Sequence, residues 1–153
     1  MKLKLLLLFF TISSTMLWAQ NKNLWTNNSN SKITLTKSNH QSLNNYIVYG
    51  LDKQTLKTSL TNAPSRTDFN STSNVIVGFP NHKGEIKKFR ITEASTMHPD
   101  LQERYPEIRS YFGQSIEDSS SQIRFSFSPY GLSAMILSPE DGNTFIEPSK
   151  NDS

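Results

Sequence analysis

The stretch Gln122-Ile123-Arg124-Phe125-Ser126-Phe127-Ser128-Pro129-Tyr130-Gly131 decides the fold class. Apolar side chains at Ile123, Phe125 and Phe127 alternate with polar ones at Gln122, Arg124, Ser126 and Ser128. Successive side chains of a strand point to opposite faces, so a period of two marks a strand packed on one face and wet on the other. Ser128-Pro129-Tyr130-Gly131 fits a type I turn, with proline second and glycine fourth. Leu132 to Leu137 follows as the return strand. Pro139-Glu140-Asp141-Gly142-Asn143 supplies another turn, and Thr144-Phe145-Ile146-Glu147 a third strand. The C-terminal third therefore reads as an antiparallel meander.

Working upstream, Val75-Ile76-Val77-Gly78-Phe79 has the pattern of a buried strand, and Pro80 to Gly84 that of a turn. Glu85 to Thr92 returns as a second strand. Ile86, Phe89 and Ile91 do not share a parity, and a bulge near Lys87-Lys88 would reconcile them. Tyr46-Ile47-Val48-Tyr49 is β-branched and aromatic and reads as another strand. Asp52 is a good N-cap for a short helix in which Leu56 and Leu60 share a face.

The run from Glu93 to Gln114 is the densest in specific residue types. Pro99 suits the first turn of a helix, where its missing N–H costs nothing. Asp100 and Glu103 favour that end through the helix dipole. Pro106 ends this helix and starts a second, with Glu107 behind it. Leu101, Tyr105, Ile108, Tyr111 and Phe112 form an apolar stripe across both, and Gly113 is the stop. The predicted class is α+β, an antiparallel sheet of about six strands with two or three short helices.

At the start, Lys2 and Lys4 precede an apolar run from Leu5 and a small residue, Ala19. Residues 1–19 read as a signal peptide cleaved between Ala19 and Gln20, which predicts export to the periplasm or the medium. The apolar core is too short for stable membrane insertion, which takes about 20 residues. Residues 20–42 read as a flexible polar leader with a possible edge strand at 33–36. Residues 43–148 form the domain, and 149–153 a disordered end. Of the 16 basic residues, loss of Lys2 and Lys4 leaves 14 against 13 acids, so the basic balance nearly vanishes and no basic face points to nucleic acid. Lys87, Lys88 and Arg90 read as a solvated strand face. The chain has no cysteine, which excludes a thiol nucleophile, a cysteine-ligated metal and a disulfide framework.

No catalytic constellation is visible. His40, His82 and His98 lack metal-ligand spacing, and the serines between Ser110 and Ser133 lie outside any Gly-x-Ser-x-Gly context. Glu103, Glu107, Glu117 and Asp118 read as solvated acids rather than a carboxylate pair. Tyr105, Tyr111 and Phe112 are either core or a binding face. From the residues alone the expectation is a non-enzymatic α+β domain, with no catalytic residue, no metal ligand and no cofactor of its own.

The combination Phe79-Pro80-Asn81-x-x-Gly84, Phe89-Arg90, Glu93-Ala94, Met97-His98-Pro99-Asp100-Leu101, Tyr105-Pro106-Glu107-Ile108, Tyr111-x-Gly113-Gln114 and Ile123-Arg124-Phe125-Ser126-x-Ser128-Pro129-x-Gly131 resembles one family region. It is similar to the N-terminal pro-region of the secreted reprolysin-like zinc metallopeptidases of flavobacteria and their relatives. The resemblance runs from about Tyr46 to Pro148. It implies the N-terminal fragment of a metallopeptidase precursor, in which the pro-region assists folding and keeps the zinc protease latent by covering its cleft. The partner implied is the zinc metallopeptidase domain, in cis in the family and in trans or lost by truncation here. The zinc belongs to that domain, whose His-Glu-x-x-His has no counterpart in this sequence. Without a cysteine, latency would come from occlusion or from a carboxylate or histidine reaching the metal. The contact residues expected on this basis are His98, Glu103, Tyr105, Glu107, Tyr111 and Phe112. The alternative is a free-standing secreted binding or adhesion module that reuses the same fold.

Overall fold

A computed structural model describes residues 23–28, 46–65, 67–68 and 72–149. The expected signal segment with its Ala19–Gln20 cleavage point, the 33–36 strand, and residues 150–153 lie outside the described residues. The elements run β1 (Trp25–Asn27), β2 (Tyr49–Leu51), α1 (Lys53–Leu60), β3 (Ile76–Pro80), β4 (Ile86–Glu93), α2 (Pro99–Arg104), β5 (Arg109–Ser115), β6 (Gln122–Ser128), β7 (Gly131–Leu137) and β8 (Thr144–Ile146). Strands β3 to β8 form a 6-stranded sheet in sequence order, every pair antiparallel, and β1 pairs with β2 in a 2-stranded sheet. The architecture is mostly antiparallel sheet, with two helices among the described residues, so helix contributes less than the α+β expectation gave it.

The alternation read at Gln122–Ser128 sets the faces. Ile123 and Phe125 are buried, and the register places them across from Gly113 and Tyr111 on β5 and from Ile136 and Ala134 on β7. Val77, Phe79, Phe89, Ile91 and Leu132 complete this inner face. Helix α1 closes it with Leu56 and Leu60, four residues apart and both buried. The helix starts where the sequence says it should, because the Asp52 side chain accepts from the Thr55 backbone N–H at 2.9 Å.

Trp25 adds to this cover. Its ring lies 5.9 Å from that of Phe79 and 6.1 Å from that of Tyr49. Its indole N–H donates to the Gly78 carbonyl at 2.7 Å, which satisfies an acceptor of edge strand β3. Within the span expected as a flexible leader, Leu24 and Trp25 thus pack on the core and Trp25–Asn27 forms a strand.

Three expectations are corrected. The strand expected at Tyr46–Tyr49 forms instead at Tyr49–Leu51, as β2. The second helix, expected after Pro106, does not form, and Arg109–Ser115 is instead β5, one of the two central strands of the sheet. Tyr111, Gly113 and Ser115 face inward in alternation, which the glycine and serine concealed. A Cβ at Gly113 would lie 2.7 Å from side-chain carbons of both Ile91 and Ile123, so only glycine lets these neighbours meet over β5. The bulge near Lys87-Lys88 is also absent, since the β3–β4 register is unbroken from Ile76↔Arg90 to Pro80↔Ile86. Ile86, paired with Pro80, simply faces outward and leans over Gly78, where a Cβ would come within 2.6 Å of its Cγ2.

Gly113→Ala overpacks this crossing and is expected to destabilise the domain by about 1–3 kcal/mol, read as a lower urea midpoint. Trp25→Ala removes an aromatic cover and is expected to cost at least about 2 kcal/mol in the same titration. An unchanged midpoint would return Trp25 to the leader.

Candidate functional site

Three surface features carry chemistry: the β4–β5 connection, a polar cluster at one end of the inner face, and the outer face of the sheet. The connection holds most of the residues singled out in the sequence. His98 caps α2, its Nδ1 accepting from the Asp100 N–H at 3.4 Å and lying 3.6 Å from the Asp100 carboxylate. Pro99 opens the helix as expected, and Tyr105 closes it through an N–H bond to the Leu101 carbonyl. The helix buries none of its residues. Leu101 and Tyr105 are 43% and 47% exposed, and Glu103 and Glu107 are exposed beside them.

This exposed element is fixed from within. The Gln102 amide donates to the carbonyls of Tyr105 and Ile108 at 3.2 and 2.8 Å, and its oxygen accepts from Ser95. Arg109 ties the base of the connection to Glu93 at 2.7 Å. Sequence reasoning passed over Gln102, whose role depends on a fold-back that no periodicity reveals.

The other two expected contact residues part company. Tyr111 belongs to the core, stacked on Phe125 with ring centroids 4.9 Å apart, and burial pushes its hydroxyl pKa up. Its ring is therefore not part of a surface. Phe112, next along the strand, faces outward beneath the Arg124 guanidinium, whose carbon lies 5.5 Å from the ring centre.

The polar cluster lies where the inner face runs out of apolar residues. Ser121 bonds Ser138 at 2.9 Å, and both Ser120 and Ser121 donate to Asp118. Nearby, Lys83 and Lys87 approach Asp141 at 2.6 and 3.7 Å. Bonds from Ser121 and Ser120 stabilise the Asp118 carboxylate as an anion and lower its pKa from 3.8 to about 2. Among the described residues no group of three or more His, Asp or Glu side chains could hold a metal ion. No described helix is long and apolar enough to cross a membrane.

The outer face is organised by register. Thr92, Phe112, Arg124, Met135 and Phe145 are successive cross-strand partners and form one row over five strands. Ser110, Ser126 and Ser133 form the next row, continued at the β4 side by Ala94, whose N–H donates to the Ser110 carbonyl. Large side chains beside small ones leave a groove of about 360 Å³. Phe145 at its β8 end is 66% exposed. No known protein family, curated protein or solved structure matches the chain.

The Asp118 network gives an acid-stability expectation. In the unfolded chain the carboxylate titrates at its ordinary 3.8, and in the folded protein at about 2. Its contribution is therefore complete above the higher value and disappears as pH falls through the lower one. Asp118→Asn should lower stability at neutral pH and flatten the loss of stability over that window, measured by urea unfolding at stepped pH.

Proposed function

We propose that this chain is a non-catalytic binding domain, the pro-region of an exported zinc metallopeptidase, which assists folding of the protease domain and covers its cleft. The observation that carries the reading is helix α2, six residues long, none of which is buried in its own domain. An element held rigid at its base and apolar at its tip suits insertion into a partner's cleft. Leu101 and Tyr105 supply the apolar contact. His98, Glu103 and Glu107 supply groups that can reach a metal held by the partner, since carboxylates and imidazole are ordinary zinc ligands. The resemblance of the motifs from Phe79 to Gly131 to reprolysin-like pro-regions supports this partner over others.

A second reading, a free-standing exported binding or adhesion module, is favoured by the outer-face groove, which meets the β4–β5 connection at Ala94 and Thr96 but is lined mostly by strand residues. The two readings separate in one assay. The chain is mixed with the protease domain of a reprolysin-like zinc metallopeptidase and peptide hydrolysis is followed. The pro-region reading expects inhibition, weakened about tenfold or more by Leu101→Ser with Tyr105→Ser, because each lost apolar contact removes about 1.5–3 kcal/mol. Glu103→Gln and Glu107→Gln weaken it further only if a carboxylate reaches the metal. Absence of both inhibition and any gain in refolding yield would sink the pro-region reading.

A further inference from the structure

We propose that the outer-face groove is a docking site for an extended, acidic and partly apolar peptide segment, with Arg124 as the carboxylate-binding residue. The inference goes beyond the pro-region reading and does not rest on it. It starts from the two faces of the sheet. The inner face is packed under α1 and Trp25, whereas the outer face of β4 to β8 carries Phe112, Met135 and Phe145 in a row with Arg124.

Charge selects the occupant. The outward-facing residues of the six strands include Lys88, Arg90 and Arg124, and none of them is an acid. The acid that lines the groove is Glu147, one residue beyond β8 and at its far end. Arg90 is turned to the Ser73 carbonyl at 2.6 Å. Arg124 instead lies over the Phe112 ring, a placement that orients the guanidinium fork while leaving it exposed. A guanidinium held over an aromatic face is suited to take a carboxylate through paired N–H donors.

Shape selects an extended chain. The groove runs across the strands from Ala94 and Thr96 to Phe145 and Glu147. Four interstrand spacings of about 4.8 Å make it roughly 19 Å long, the span of about six extended residues. The hydroxyls of Ser126 and Ser133 on its floor can both donate to and accept from a peptide backbone. Met135 and Phe145 offer apolar contact to a side chain next to the carboxylate.

The test uses the full chain and two fluorescein-labelled peptides of about six residues, one bearing Leu, Phe and two Glu, the other its Gln-for-Glu twin. Anisotropy should show the acidic peptide bound about tenfold or more tighter than its twin, with the difference shrinking as salt rises. Arg124→Gln should abolish that preference, and Phe145→Ser should weaken both peptides. Circular dichroism melts of each variant establish that these exposed substitutions leave the fold intact. Equal affinity for the two peptides, retention of the preference in Arg124→Gln, or no binding at millimolar peptide overturns the proposal. Tighter binding of an oligothymidine than of the acidic peptide also overturns it and makes the face a single-strand nucleic-acid platform. None of these outcomes depends on protease inhibition, so the readings of the groove and of helix α2 stand or fall separately.

Discussion

Phe79 is the point at which the separate parts of the chain meet. Its ring touches Trp25 of the N-terminal strand, Phe89 of the adjacent β4, and Phe125 of β6, at centroid distances of 5.9, 6.2 and 4.9 Å. Strands β3 and β6 are three places apart in the sheet, about 14 Å if the sheet were flat. Rings that far apart in order meet because the sheet curls over its inner face. Gly113, on the intervening strand β5, lets Ile91 and Ile123 close together over that strand. The burial of one face thus sets the curvature, while register sets the outward rows of five strands and the contrast of large and small side chains leaves the trough between them.

The same arrangement divides the chemistry. Acids gather at the turns, around Asp118 and Asp141, where hydroxyls and lysines compensate them. The outward faces of the strands keep cations and aromatic rings. The β4–β5 connection, with Asp100, Glu103 and Glu107, is a third environment. A partner meeting this molecule would find an apolar-acidic tip on one element and an apolar-basic surface on another, and the two ask for different complements.

Much of the fold was legible in the sequence where local pattern and burial agree. The meander from Gln122 to Ile146 followed from alternation and turn residues, and α1 from Asp52 with Leu56 and Leu60. Strand β5 was misread because Gly113 and Ser115 occupy inward positions that usually carry apolar side chains. The reason they do not lies in Ile91 and Ile123 on neighbouring strands. Strand β1 was hidden in a polar run because its evidence is one indole whose partner is 53 residues away. The exposed tip at His98, Glu103, Tyr105 and Glu107 was visible in the sequence as a dense run of unusual residues. The outer-face rows were not, since cross-strand neighbours depend on register, which turn lengths fix and single segments do not display.

The order of the sheet also has a bearing on how the chain reaches this state. Strands β3 to β8 each close on a sequence neighbour, so most of the entropy of loop closure is spent in short loops. The Trp25–Gly78 contact is different in kind: the indole precedes its acceptor by 53 residues and covers an edge that exists only once β3 has paired. A chain made or exported N-terminus first must therefore hold Trp25 in waiting while the meander assembles. Docking of the first described strand in the sequence therefore waits on β3, and it adds the aromatic cover that the meander by itself lacks.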